Sequence, residues 1–116
     1  MSDVIIYHNP RCRKSREGLK LLRDQGIEPE IIKYLDNPPS EAELDRLLRL
    51  MDMDPYDLIR KREKEFKDLN LKEKKNDRQA LIRAMVTHPR LIQRPIVVKG
   101  GHAVLGRPAE NILDIL

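Results

Sequence analysis

The segment 4–22, VIIYHNPRCRKSREGLKLL, constrains the fold more strongly than any other part of the sequence. Its β-branched apolar start predicts a short buried strand over residues 4–7. An Asn-Pro pair then marks a turn, and leucines resume among good helix formers, which predicts a helix over residues 13–25. Gly26 is suited to end that helix in the left-handed conformation. The segment therefore predicts the first strand–turn–helix unit of an α/β domain.

Cys12, the only cysteine of the chain, lies between this turn and this helix. A thiol there faces unpaired backbone N–H groups and the positive end of the helix dipole, both of which favour the thiolate. Arg11, Arg13, Lys14 and Arg16 surround it with positive charge. An isolated cysteine is more often an inert packing residue, but this setting indicates a reactive one. Because one cysteine cannot form an intramolecular disulfide, any redox chemistry needs a thiol from another molecule.

The middle of the chain predicts helices. Ser40, with Glu43 three residues on, has the pattern of a capping box at a helix start. A shorter helix is expected over residues 56–60 after a proline, and Asp77 is suited to cap a helix that continues through Met85. The sequence therefore predicts several consecutive helices between the first and last thirds of the chain.

The order of the predicted elements indicates the topology. Residues 30–34 are a candidate for a second strand, and the helix before them predicts that it pairs in parallel with the first. Two late strands flank the turn Gly100-Gly101 as a hairpin, and a closing α-helix follows. The order β-α-β-(helical insert)-β-β-α predicts an α/β, thioredoxin-like fold with a mixed sheet. We expect a single domain over residues 1–116 with a helical insertion at about 40–88.

Composition limits the partners. The chain has 116 residues, enough for one domain. Its net charge of +4 is mildly basic, compatible with a small anionic substrate. Acidic residues interrupt the most charged stretch, 61–75, which indicates a solvated surface rather than a nucleic-acid site. No nucleic-acid partner is therefore expected.

Location and metal binding can also be predicted. No apolar run is long enough to cross a bilayer, and no signal-peptide pattern is present, so we expect no membrane contact. A free thiol without secretion features predicts a cytoplasmic protein. His8 and Cys12 alone are too few ligands for a metal, and no CxxC pair exists, so no metal site is expected.

Five blocks carry a resemblance to a known family. They resemble, in order and at its spacing, the glutaredoxin-linked arsenate reductases. The resemblance implies a thioredoxin-like enzyme that acts on arsenate, with glutathione as co-substrate and glutaredoxin as partner. We also expect a monomer, and no bound cofactor because the sequence has no metal, nucleotide or flavin motif. The blocks are HNPRCRKSR at 8–16, YLDNPPS at 34–40, LIRKRE at 58–63, LIQRPIVV at 91–98 and GRPAENILDIL at 106–116.

The resemblance also implies roles for individual residues. A cysteine thiolate attacks arsenate, and guanidinium groups match the oxyanion because their forks bind tetrahedral oxygens bidentately. They also reduce the repulsion between the two anions. By position, the nucleophile is Cys12, the thiolate-stabilising residues are His8 and Ser15, the oxyanion-binding residues are Arg60, Arg94 and Arg107, and Pro95 is the candidate for a cis peptide bond.

One departure from the family pattern and two alternative functions remain open. Arg13 and Lys14 stand where many family enzymes carry small residues, which could shift the preference toward another anion or thiol. One alternative is a glutathione-linked thiol oxidoreductase with another substrate, which would not need three arginines. The other is a regulator resembling the Spx proteins, which bind RNA polymerase; those carry a CxxC switch, whereas Ser15 takes the place of its second cysteine.

Overall fold

A four-stranded mixed sheet organises the two ends of the chain in the computed structural model, which describes residues 3–116. Its strands are β1 (Val4–His8), β2 (Glu30–Lys33), β3 (Ile96–Lys99) and β4 (His102–Leu105). The order across the sheet is β2-β1-β3-β4, with β1 parallel to β2 and antiparallel to β3, and β3 antiparallel to β4. The predicted mixed sheet is confirmed.

Helix α1 (Arg13–Asp24) connects the two parallel strands, as the sequence predicts. Gln25 caps its end, and Gly26 follows with φ +77°, a conformation that glycine adopts without steric cost. The helix contributes Leu22 to a core in which aliphatic residues of the strands and the chain end meet. That core consists of Val4, Ile6, Leu22, Val97 and Ile112, each at most 1% exposed.

Pro95 packs against two glycines of this unit. A Cβ atom placed on Gly18 of α1 would lie 2.8 Å from Pro95 Cγ, and one on Gly106 would lie 3.0 Å from the same atom. The Gly106 N–H also donates to the Pro95 carbonyl oxygen at 2.8 Å. The proline ring therefore fits against the helix and the chain after β4 only because both positions lack side chains.

The described chain divides into two units, and the sheet unit comprises the segments up to Asn37 and from Arg94 onward. The other unit, Pro38–Gln93, is helical. Its interior is aliphatic, with α2 and α5 in contact. Its elements are α2 (Glu41–Leu50), α3 (Pro55–Leu58), α4 (Lys64–Asp68), α5 (Arg78–Thr87) and two 3₁₀ turns at Leu71–Lys74 and Pro89–Leu91.

The helix starts follow the predicted caps, but several ends differ. The helix expected over 56–60 ends earlier, because Ile59 is extended and forms an isolated bridge with Ile92. The helix expected to end at Met85 continues to Thr87. The closing element is a 3₁₀ helix, Ala109–Ile115, instead of the expected α-helix.

Within residues 3–116, no helix combines the length and the apolar character that crossing a bilayer requires.

Candidate active site

Cys12 occupies the N-cap position of α1 with an extended backbone, φ −94° and ψ 123°. Its N–H donates to the carbonyl oxygen of Asn9 at 3.0 Å, and its own carbonyl accepts from the N–H of Arg16 at 3.0 Å. The first bond closes the turn after β1, and the second begins the helix. These two bonds fix the cysteine backbone at the junction, with the side chain partly exposed.

The surroundings of the Cys12 sulfur favour its anionic form. Partial burial raises the pKa of the thiol, but the backbone N–H of Ser15, the hydrogen bond and charge of the Arg94 guanidinium, and the N–H of Lys14 together outweigh it. The pKa of Cys12 therefore lies below its ordinary value. The sulfur makes no capping hydrogen bond of regular geometry, so the N–H groups act on it chiefly as oriented dipoles.

A network of buried hydrogen bonds stabilises the turn between β1 and α1 that carries Cys12. His8 Nδ1 lies 2.7 Å from Ser15 Oγ, and the N–H of Asn9 donates to the same oxygen at 2.9 Å. All three residues are buried, and Ser15 is fully so. Asn9 Oδ1 in turn accepts from the N–H of Arg11 at 3.0 Å. The network ties the end of β1 to the first turn of α1, on either side of Cys12.

The surroundings of His8 disfavour the charged form of its imidazole. Burial is the main cause that lowers the pKa of the imidazole, followed by the charges of Lys33, Arg23 and Arg16, while its hydrogen bond with Ser15 acts in the opposite direction. Lys33 faces His8 directly as its partner in the parallel β1–β2 register. The hydrogen bond with Ser15 connects His8 to the helix turn that carries Cys12, and the role of His8 toward the thiolate stays a prediction.

The second group of predicted residues lies at the two ends of the late hairpin. Arg94, 9% exposed, directly precedes β3, and the Arg94–Pro95 peptide bond is cis. Arg107 follows β4, and the Arg107–Pro108 peptide bond is also cis. The sequence predicted a cis bond only at Pro95. The structure brings the Arg94 side chain to the Cys12 sulfur. The role of Arg107 stays a prediction.

Arg60 belongs to the helical unit. Its N–H donates to the carbonyl oxygen of Leu91 at 2.7 Å, and its Nε lies 4.0 Å from Glu63 Oε1. Glu63 Oε2 is also 3.7 Å from Arg90 Nη2, so the carboxylate lies between two guanidinium groups. These contacts place Arg60 within its own unit, and its oxyanion-binding role stays a prediction.

The sequence did not predict one contributor to the site. Asn9 was interpreted only as a turn residue, although its backbone carbonyl, backbone N–H and side-chain oxygen all hold the Cys12 turn. An asparagine before a proline is a known signal for such side-chain turns. The backbone N–H of Lys14 lowers the pKa of the thiol, in line with the unpaired N–H groups expected at the start of this helix.

Metal chemistry has no candidate site in the part of the chain that the structure describes. No three His, Cys, Asp or Glu side chains between residues 3 and 116 come together as ligands.

A comparison with known protein families identifies the family of this chain. A model of the ArsC family matches residues 7–115. The chain belongs to the ArsC family.

Similar proteins and structures cover this ArsC-family chain almost end to end. An arsenate reductase of Neisseria meningitidis is 42% identical over 117 residues, covering 100% of both chains. The uncharacterized protein YfgD of Escherichia coli K12 is 48% identical over 98% of this chain and 97% of its own. The structure of an arsenate reductase from Vibrio cholerae matches with a TM-score of 0.93 and 49% identity, covering 97% of each chain. The ArsC-family chain thus has the expected thioredoxin-like fold.

The pH dependence of alkylation should report the state of Cys12 in this ArsC-family chain. Because the pKa of the thiol is lowered, the thiolate persists to lower pH than in a free cysteine, whose pKa is about 8.5. We expect the rate of reaction with iodoacetamide, measured by mass spectrometry, to reach half of its plateau at a lower pH than the same reaction of glutathione. A midpoint at or above the value for glutathione, measured in parallel, would contradict the assignment.

Proposed function

We propose that this chain is an arsenate reductase that uses Cys12 as its nucleophile and glutathione and glutaredoxin as reductants. The observation that carries the proposal is the Cys12 sulfur, with two backbone N–H groups and the buried Arg94 guanidinium favouring its thiolate. Such a sulfur can attack an electrophilic centre, and an arginine beside it can hold an oxyanion in place. Membership of the ArsC family, with a relative named arsenate reductase over its full length, supports arsenate as that oxyanion.

The first step joins two anions, so positive charge is essential to it. The Cys12 thiolate attacks arsenic, an S–As bond forms, and one arsenate oxygen leaves as water after taking up two protons. Arg94 would bind the oxyanion and offset the repulsion between the negative charges. Arg60 and Arg107 are assigned the same role by their position in the family pattern. Arsenic stays pentavalent in this step.

The reduction itself requires two external thiols, because Cys12 has no partner cysteine in the chain. Glutathione would displace a second oxygen as water and form a second S–As bond. Attack of a glutaredoxin thiolate on the glutathione sulfur would then break that bond and leave its electron pair on arsenic. The products are a mixed disulfide and trivalent arsenic still bound to Cys12. Hydrolysis releases arsenite and restores the thiol.

His8 and Ser15 are assigned to the support of the thiolate. The backbone N–H of Ser15 acts on the Cys12 sulfur. Its hydroxyl hydrogen-bonds with His8 and accepts from the N–H of Asn9, and these contacts hold Ser15 in place in the first turn of α1. This preorganisation lowers the cost of aligning the sulfur with the oxyanion. We place the reaction in the cytoplasm, where thiol reductants keep a cysteine reduced.

A coupled assay tests the proposed function. The purified chain is mixed with arsenate, glutathione, glutaredoxin, glutathione reductase and NADPH, and NADPH oxidation is followed. We expect oxidation that depends on arsenate and stops when either glutathione or glutaredoxin is omitted. Full activity with glutathione alone would contradict the glutaredoxin step. If NADPH oxidation does not depend on arsenate, the proposed activity is wrong. That result would favour either a different substrate or the RNA polymerase-binding regulator.

A further inference from the structure

Four exposed cations surround the start of α1, and we refer to Arg11, Arg13, Lys14 and Arg16 as the basic cluster. Between residues 11 and 17 the sequence offers a single carboxylate, on Glu17. Arg13 Nε lies 3.3 Å from one Glu17 oxygen, and Lys14 Nζ lies 3.9 Å from the other. Two cations thus share one carboxylate, and a net positive charge remains in the segment around Cys12.

The excess charge is confined to this end of the helix. Farther along α1, Lys20 pairs with Asp24 at 2.7 Å, and Arg23 pairs with Glu28 at 3.0 Å. Each of those cations has its own carboxylate. The surface of α1 is therefore balanced away from Cys12 and positive beside it.

The side chains of the basic cluster face solvent. The side chain of Arg13 is 84% exposed and that of Lys14 is 50% exposed, whereas the guanidinium that acts directly on the sulfur belongs to the buried Arg94. Charges in this position act most strongly on a molecule that approaches Cys12 from solvent.

We propose that the side chains of Arg13 and Lys14 select the thiol that reacts at Cys12, favouring a small thiol that carries carboxylates over an uncharged one. The inference rests on the proposed function, because it concerns the thiol donor of that same site. Glutathione fits this chemistry, since its net charge is negative at neutral pH. In water, two unit charges separated by about 8 Å change an encounter rate by about twofold, so two cations facing a dianion give about a three- to tenfold preference.

The test uses thiol–disulfide exchange, which needs no arsenate. The Cys12 thiolate attacks one sulfur of a disulfide, a new S–S bond forms, and the other sulfur leaves as a thiolate. Second-order rate constants are measured by mass spectrometry with glutathione disulfide, a dianion, and with bis(2-hydroxyethyl) disulfide, which is neutral. The same Cys12 thiolate reacts with both disulfides. The rate constant for glutathione disulfide divided by that for the neutral disulfide therefore reports the effect of substrate charge alone.

Three variants give distinct expectations. In the double variant Arg13→Gln, Lys14→Gln, the ratio should fall about three- to tenfold, while the backbone N–H of residue 14 is retained. Glu17→Gln removes the one offsetting carboxylate and should raise the ratio about twofold. Lys20→Gln removes an exposed cation of the same helix away from the sulfur and should leave the ratio unchanged. Glutamine is a good helix former, so α1 is preserved in all three.

An unchanged ratio in the double variant overturns the inference, as does an equal fall in Lys20→Gln. The coupled assay gives a second readout, because the KM for glutathione should rise in the double variant. If the wild type reduces no arsenate, the proposed function fails, but the exchange ratio still decides whether the basic cluster selects an anionic thiol.

Discussion

Replacing Cys12 by serine should reduce arsenate turnover at least about a thousandfold, to below the detection limit of the coupled assay. A serine hydroxyl is a far weaker nucleophile than a thiolate, and neither the N–H groups of Lys14 and Ser15 nor Arg94 can ionise it at neutral pH. Without the first S–As bond, the external thiols have no intermediate to reduce. The measurement is NADPH oxidation by the variant at the concentrations used for the wild type.

The position of Cys12 makes this variant unusually informative. The residue is the N-cap of α1 and its side chain forms no regular capping hydrogen bond. Serine is a preferred N-cap residue, so Cys12→Ser should keep or slightly raise the thermal midpoint of unfolding. A loss of activity with an unchanged midpoint is then a loss of chemistry. Substantial residual turnover would instead remove Cys12 from the role of nucleophile.

Replacing Arg94 by lysine should lower kcat/KM for arsenate about 10- to 100-fold although the positive charge is kept. Lysine offers a point charge in place of the planar fork, so it cannot hold two oxyanion oxygens and the sulfur together. Arg94 also contributes a hydrogen bond that lowers the pKa of Cys12. Its loss should move the midpoint of the alkylation profile to higher pH, a change that a merely structural role would not produce.

Arg83→Lys is the matched control for that experiment. Arg83 is an exposed arginine of α5 in the helical unit, and its replacement by lysine should leave both kcat/KM and the alkylation profile unchanged. Circular dichroism checks that the Arg94 variant is folded, because the residue is buried. An Arg94→Lys variant with the kinetics and the alkylation midpoint of the wild type would exclude Arg94 from the site.

Sequence reasoning located the elements whose signals are local. The β-branched start of β1 and the leucines of α1 are periodic over a few residues, and Ser40 accepts from the N–H of Glu43 at 3.1 Å, as one half of a capping box should. These features depend on neighbours within four positions, so they can be predicted from the sequence alone.

Features that depend on the assembled fold were harder to predict. The contact between His8 and Ser15 joins a strand end to a helix turn seven residues away, and only the turn through Asn9 brings them together. The resemblance supplied both residues, but neither periodicity nor composition predicted their bond. The 3₁₀ geometry of Ala109–Ile115 likewise differs from the expected α-helix, because local propensity does not separate these two helices well.

The packing around Pro95 has a consequence for redesign of the protein. Gly18 carries no functional group, yet a methyl group there would lie 2.8 Å from Pro95 Cγ and press on the residue next to Arg94. The same helix offers two very different surfaces to an engineer. Its exposed start, at Arg13 and Lys14, can accept new side chains that change which thiol is favoured. The helix face that packs against Pro95 has almost no room for larger side chains. If all of α1 were randomised, most variants in the library would therefore misfold before their preference for a thiol donor could be screened.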